Sequence, residues 1–118
     1  MTAHIALKGH IDKQFAVQLA APAQLAQDAL LLHFVNGLRM ELRFAGADEY
    51  VLAWQWGDAQ LRIDTAPLHP ELATFPQHLH DMHGAVRADP VTQPGRAPED
   101  NAGALIDALF RDPMLGTA

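Results

Sequence analysis

Apolar and polar residues alternate through the middle of the chain. Leu38, Met40, Leu42 and Phe44 are apolar while Arg39, Glu41 and Arg43 between them are charged, the period of two that a strand with one buried face requires. Ala29 to Val35 is a second strand-like run, and Asn36-Gly37 between the two predicts a hairpin closed by a type I′ turn. Glu49 to Trp56 and Gln60 to Thr65 form another such pair around Gly57-Asp58, with Leu61 and Ile63 alternating against Arg62 and Asp64. Ala45 to Asp48 joins the two hairpins, so the simplest topology is a four-stranded antiparallel meander. Tyr50, Leu52, Trp54 and Trp56 share one parity, which makes the tryptophans core anchors. The alternative is an exposed stacking platform for bases or a partner helix.

The flanks carry helical spacing. Leu7, Ile11 and Phe15 suit one helix face, whereas Phe15, Val17 and Leu19 suit a strand, and Pro22 ends either. Pro98 followed by Glu99 and Asp100 marks a helix start, where exposed amides favour negative charge. Leu105, Ile106, Leu109 and Phe110 then form an apolar stripe able to cover the sheet, and Pro113 stops the helix. Gly84 to Ala97, with Pro90, Pro94 and Gly95, is expected to be a long surface loop. The expected fold is α+β: a four-stranded antiparallel meander, a C-terminal helix packed on it, and a long His/Pro-rich loop, in one domain spanning 1–118.

Composition narrows the chemistry. Without cysteine there are no disulfides, thiolate metal sites or thiol nucleophiles, which is compatible with the cytoplasm. The first ten residues lack the apolar run of a signal peptide, and no stretch approaches the length of a membrane span, so a cytoplasmic protein with no membrane partner is expected. Fourteen acidic against eight basic residues give a formal charge of -6. That balance opposes generic attraction to a polyanion and suits a basic partner.

The densest chemistry lies in R-I-D-T-A-P-L-H-P-E-L-A-T-F-P-Q-H-L-H, Arg62 to His80, which holds three of the seven histidines and three prolines. The prolines forbid a helix and predict an ordered loop, in which Phe75 is expected to plug into the core. Asp64 and Thr65 before Ala66-Pro67 suit a turn held by side chain to backbone hydrogen bonds. His78 and His80, two apart on extended backbone, point to one side, a spacing able to place both imidazoles on a divalent metal. Asp64, His69 and His83 are candidates for a third ligand, and isolated structural histidines are the plain alternative. The same groups fit cleavage of RNA by its own 2′-hydroxyl: His78 or His80 as base and acid, with Arg62 as the cation for developing charge. Arg62 equally suits a surface salt bridge.

In this segment the chain resembles the TumE-like toxin family of bacterial toxin–antitoxin systems. Arg62, Asp64, Ala66, Pro67, His69, Pro70, Glu71, Thr74, Phe75, Pro76, His78 and His80 match the family's pattern in order and spacing, over about a quarter of the chain. The resemblance implies a small cytoplasmic α+β toxin with a helix-turn-helix antitoxin as partner, acting on RNA as a ribonuclease. Arg62, Asp64, His69, His78 and His80 would then line one catalytic site, with no cofactor expected. Thr65 stands where the family has Asn, Leu68 and Gln77 where it has His, and Leu79 where it has a basic residue. Those losses motivate a second reading as a catalytically degenerate protein-binding module, and the histidine pair a third, as a metal-binding protein. An exposed sheet edge would invite a homodimer.

Overall fold

The period-two segments become strands of a single antiparallel sheet. The computed structural model describes residues 2–118, with side chains from His4 onward. Helix α1 (Thr2–Gln14) precedes β1 (Gln24–Ala26), β2 (Ala29–His33), β3 (Arg39–Gly46), β4 (Glu49–Trp56), β5 (Ala59–Asp64), β6 (His78–His80) and β7 (Val86–Ala88), and α2 (Pro98–Arg111) follows. Each strand pairs with its neighbour in sequence, in the order β1 to β7. The sheet therefore has seven strands where the sequence predicted four. The three additions are three residues long, too short to display a period, and β6 and β7 lie inside segments expected to be loops. β6 pairs along the edge of β5, and β7 in turn along β6.

Both hairpin turns form, one with different geometry from that expected. A type I′ turn needs positive φ at both Asn36 and Gly37, but only Gly37 has it, at 94°. Phe34 N–H donates to the Leu38 carbonyl at 2.9 Å and Gly37 N–H to that of Phe34 at 3.0 Å, while Asn36 Oδ1 accepts from Leu38 N–H. This is the three-residue loop that closes on a left-handed glycine. Asn36 caps the turn with its side chain, so it has no need of the left-handed region. At the second hairpin Gly57 alone has positive φ, the type II′ pattern.

One face of the sheet carries the core. Leu30, Leu42, Leu52, Ile63 and Leu79, one from each of β2 to β6, are at most 1% exposed and meet Ile11 and Phe15 of the N-terminal segment and Leu105, Ile106 and Leu109 of α2. The helical reading of the N-terminus holds through Gln14, after which Val17 projects into solvent. Trp54 is buried as a core anchor and its indole N–H donates to the Pro113 carbonyl at 2.8 Å, pinning the chain beyond α2. A bulge in β3 between Phe44 and Gly46 interrupts its ladder with β4, and buried His4 accepts the Phe44 N–H there. Phe75 does not plug the core; it is 44% exposed. Thr74 anchors that loop instead, donating to the Gln77 carbonyl and accepting from Asp89 N–H, both at 2.9 Å. A short polar anchor satisfies buried backbone groups that a phenyl ring cannot. Among the described residues no helix is long and apolar enough to cross a membrane.

Candidate functional site

With both helices on one face, the other face of the sheet is left open, and strand register decides which side chains meet there. Antiparallel pairing of β5 with β6 sets Arg62 opposite His80 and Asp64 opposite His78. Residues two apart on a strand share a face, so these two cross-strand pairs make a square of four polar side chains. The long loop between the two strands lets β6 return along the edge of β5.

The square is tightly bonded. Arg62 Nε donates to Asp64 Oδ2 at 2.8 Å, and Arg62 Nη2 lies 3.0 Å from His80 Nε2. His78 Nε2 is 3.1 Å from Asp64 Oδ1, and His80 Nε2 is 3.2 Å from Asp64 Oδ2. The two Nε2 atoms are 2.9 Å apart. Behind this ring, His78 Nδ1 meets the Pro76 carbonyl at 3.1 Å, and Asp64 Oδ1 also accepts Ala66 N–H at 3.0 Å. A carbonyl only accepts, so Nδ1 of His78 carries a proton and its Nε2 faces the cluster. A guanidinium only donates, so the Arg62 contact calls for a lone pair on His80 Nε2. Burial pulls the pKa of His80 below the ordinary histidine value, and the Arg62 charge adds to that effect while Asp64 opposes it.

Exposure separates the roles. The side chains of His78 and Asp64 are 2% and 9% exposed, against 27% for His80 and 48% for Arg62. An incoming molecule thus meets His80 and Arg62, with His78 and Asp64 beneath them. His69, from the loop, sets its ring edge to face against His78 at 4.9 Å between centroids, and its Nδ1 lies 3.6 Å from Glu71. All five residues singled out in the sequence therefore gather at one place. His83 does not join them: it is exposed in the β6–β7 turn, where its N–H bonds to Asp81. Asp64, His78 and His80 offer ligand atoms within 4.8 Å of one another, a donor set able to hold a metal ion.

Arg62 and His80 also line a groove of about 780 Å³ that crosses the open face. Leu31, Glu41, Ala53, Arg62 and His80 form one row across β2 to β6, and His33 and Arg39 extend the groove's polar lining beyond it. Glu41 is the one carboxylate along the groove, beside cationic Arg39 and Arg62 and the imidazoles of His33 and His80. A second depression of about 360 Å³ lies on the far side of Arg62 and Asp64, toward Arg43 and Thr65. Sequence reasoning missed Arg39, His33 and Glu41 as site residues. Their signal in the sequence is the outward parity of strands whose other face forms the core.

The four departures from the family pattern lie around the square, not in it. Thr65 Oγ1 accepts Tyr50 N–H at 3.0 Å, buried Gln77 donates to the Thr92 carbonyl, Leu79 packs in the core and Leu68 is exposed. No curated protein and no solved structure matches the chain. The family model described as "Toxin TumE" does match, over residues 7–109, so the likeness extends from α1 through most of α2 and takes in the whole sheet. The chain belongs to the TumE toxin family.

Proposed function

We propose that this protein is the toxin of a toxin–antitoxin pair and that it cleaves single-stranded RNA at the Arg62–Asp64–His78–His80 square. The observation that carries the reading is the opening of that square onto a polar groove through its two most exposed members, His80 and Arg62. His80 takes the proton of the 2′-hydroxyl at Nε2, the 2′-oxygen attacks phosphorus, and the bond to the 5′-oxygen breaks. Arg62, able to turn into the groove, offsets the charge that develops on the phosphate oxygens. The departing oxygen takes its proton from water in the groove, and His69, packed against His78, helps to hold that ring. His78 and Asp64 are too buried to reach substrate and act as positioning residues. Thr65, Gln77 and Leu79 have structural partners, so the departures they represent leave the square intact, which favours an active toxin over a degenerate binding module.

The partner in this reading is a helix-turn-helix antitoxin in the cytoplasm. Its basic surfaces would complement the formal charge of -6. Induction of the wild-type chain is expected to stop growth and degrade cellular RNA, and the His78→Ala, His80→Ala double variant to do neither. Equal RNA degradation by both would remove the square from the mechanism.

A further inference from the structure

The square has more acceptors than donors on its buried side. His78 spends its Nδ1 proton on the Pro76 carbonyl, so in the neutral ring Nε2 presents a lone pair. His80 presents its Nε2 lone pair toward Arg62. These two lone pairs and the Asp64 carboxylate oxygens meet at 2.9, 3.1 and 3.2 Å. Arg62 answers only from one side, with Nε to Asp64 Oδ2 and Nη2 to His80. An added proton on His78 lies along a single line and satisfies one of the three contacts. One cation placed between the three groups satisfies all of them.

We infer that Asp64, His78 and His80 form a binding site for one divalent transition-metal ion of the zinc class. Two imidazoles and a carboxylate are a donor set for such ions. The 2.9 Å between the Nε2 atoms corresponds to an angle of about 90° at an ion bound at about 2.0–2.1 Å, leaving the groove side open for further ligands. The surroundings are those of a ligand shell: the Pro76 carbonyl fixes the ring of His78, and Ala66 N–H fixes Asp64. The half-exposed Arg62 guanidinium is the competitor, and it leaves when the ion enters. Because the ion takes the lone pair that accepts the substrate proton, the loaded form is inactive. That last consequence rests on the proposed RNA cleavage; the site itself does not.

The test uses full-length protein purified without a histidine tag and stripped with chelator. Calorimetric titration with Zn²⁺, and with Co²⁺ read by its visible absorption, is expected to show one equivalent bound. Affinity should fall by on the order of 100-fold in Asp64→Asn and in His80→Ala. The surface variant His83→Ala should bind like wild type, and Arg62→Ala should bind more tightly because it lacks the competing charge. Circular dichroism confirms that each variant is folded, and the conservative Asp64→Asn serves if His80→Ala is not. Failure of the wild type to bind one equivalent, or unchanged affinity in the folded ligand variants, would overturn the site. RNA cleavage measured in chelator and again with one equivalent of Zn²⁺ tests the other claim alone: loss of cleavage on adding Zn²⁺ supports an inactive loaded form, and cleavage unchanged in protein that binds the ion overturns it.

Discussion

Asp64→Asn separates the chemistry of the square from its contribution to folding, because its structural effects oppose one another. The amide oxygen can still accept Ala66 N–H, so that turn is kept. Replacing Oδ2 by an amide nitrogen removes the bond that Arg62 Nε donates there, but the guanidinium is half in water, and a screened pair of this kind contributes only about 0.5–1 kcal/mol. The new amide N–H₂ takes the place of Oδ2 and faces His80 Nε2, which lay 3.2 Å from that oxygen, and one new hydrogen bond returns about 0.5–1.5 kcal/mol. The net change in stability is therefore within about 1 kcal/mol, a shift in Tm of no more than about 4–8 °C. Cleavage should suffer far more. The variant loses the charge that orients both rings and holds Arg62, and its amide donor occupies the lone pair His80 needs as a base. The expected fall is on the order of 10²–10⁴ in rate. Purified variant and wild type, both in chelator, would be compared on a labelled single-stranded RNA, alongside thermal unfolding. A variant that cleaves within about threefold of wild type would refute the positioning role, and one that unfolds before assay temperature would refute the stability argument.

Three other changes probe the framework. Arg39→Ala, placed in the His80→Ala background so that RNA is bound but not cut, should weaken RNA binding and reduce the slope of log K against log salt by about 0.7, the loss of one single-strand phosphate contact. An unchanged slope would remove Arg39 from the RNA path. Leu79→Ala, deleting a side chain 1% exposed between His78 and His80, should cost about 2–4 kcal/mol in denaturant unfolding, and a cost under 1 kcal/mol would show that β6 is not tied to the core. Asp81 holds the β6–β7 turn through His83 N–H, Ala85 N–H and Arg87, and the Arg87 bond leads in depressing its carboxyl pKa. A depressed carboxyl stabilises the fold above its unfolded value of about 3.9 and loses that effect as pH falls through the folded value. Asp81→Asn should therefore melt below wild type at neutral pH, with the gap closing below about pH 4; a gap independent of pH would contradict this.

Elements with a buried face and enough length were legible in the sequence. β3, β4 and β5 showed their period over six to eight residues, and α2 showed its proline, acids and stripe. β6 was hidden because His78-Leu79-His80 has only one core residue, and its status as a strand depends on β5 lying alongside. The residues of the square were legible as chemistry but not as geometry: H-x-H fixed which two imidazoles share a face, while the register that places Asp64 against His78 comes from the pairing of two strands joined by a long loop. Phe75 misled because its apolar character promised burial, whereas the buried demands at that place are backbone groups answered by Thr74.

The formal charge of -6 opposes a polyanionic substrate at long range, whereas binding at the proposed site depends on the charges nearest the groove. Many of the carboxylates lie off the strands' outward positions: Asp28, Asp48 and Asp58 stand in turns, Glu71 in the loop, and Glu99, Asp100 and Asp107 on α2. The groove instead gathers Arg39 and Arg62 with one carboxylate, Glu41, and Arg43 lies 3.4 Å from that same Glu41. At physiological salt an exposed charge is felt over about 8 Å. A phosphate beside Arg62 therefore feels that guanidinium, the Asp64 carboxylate bonded to it and the nearby imidazoles, and acids across the sheet's edge or on its helical face contribute little. The distant acids act on slower approach from solution and on the choice of a basic partner. In the proposed reading the chain repels polyanions weakly at long range and still holds a phosphate at short range, because most of its acids stand in turns, loops and helices while outward strand positions carry Arg39 and Arg62.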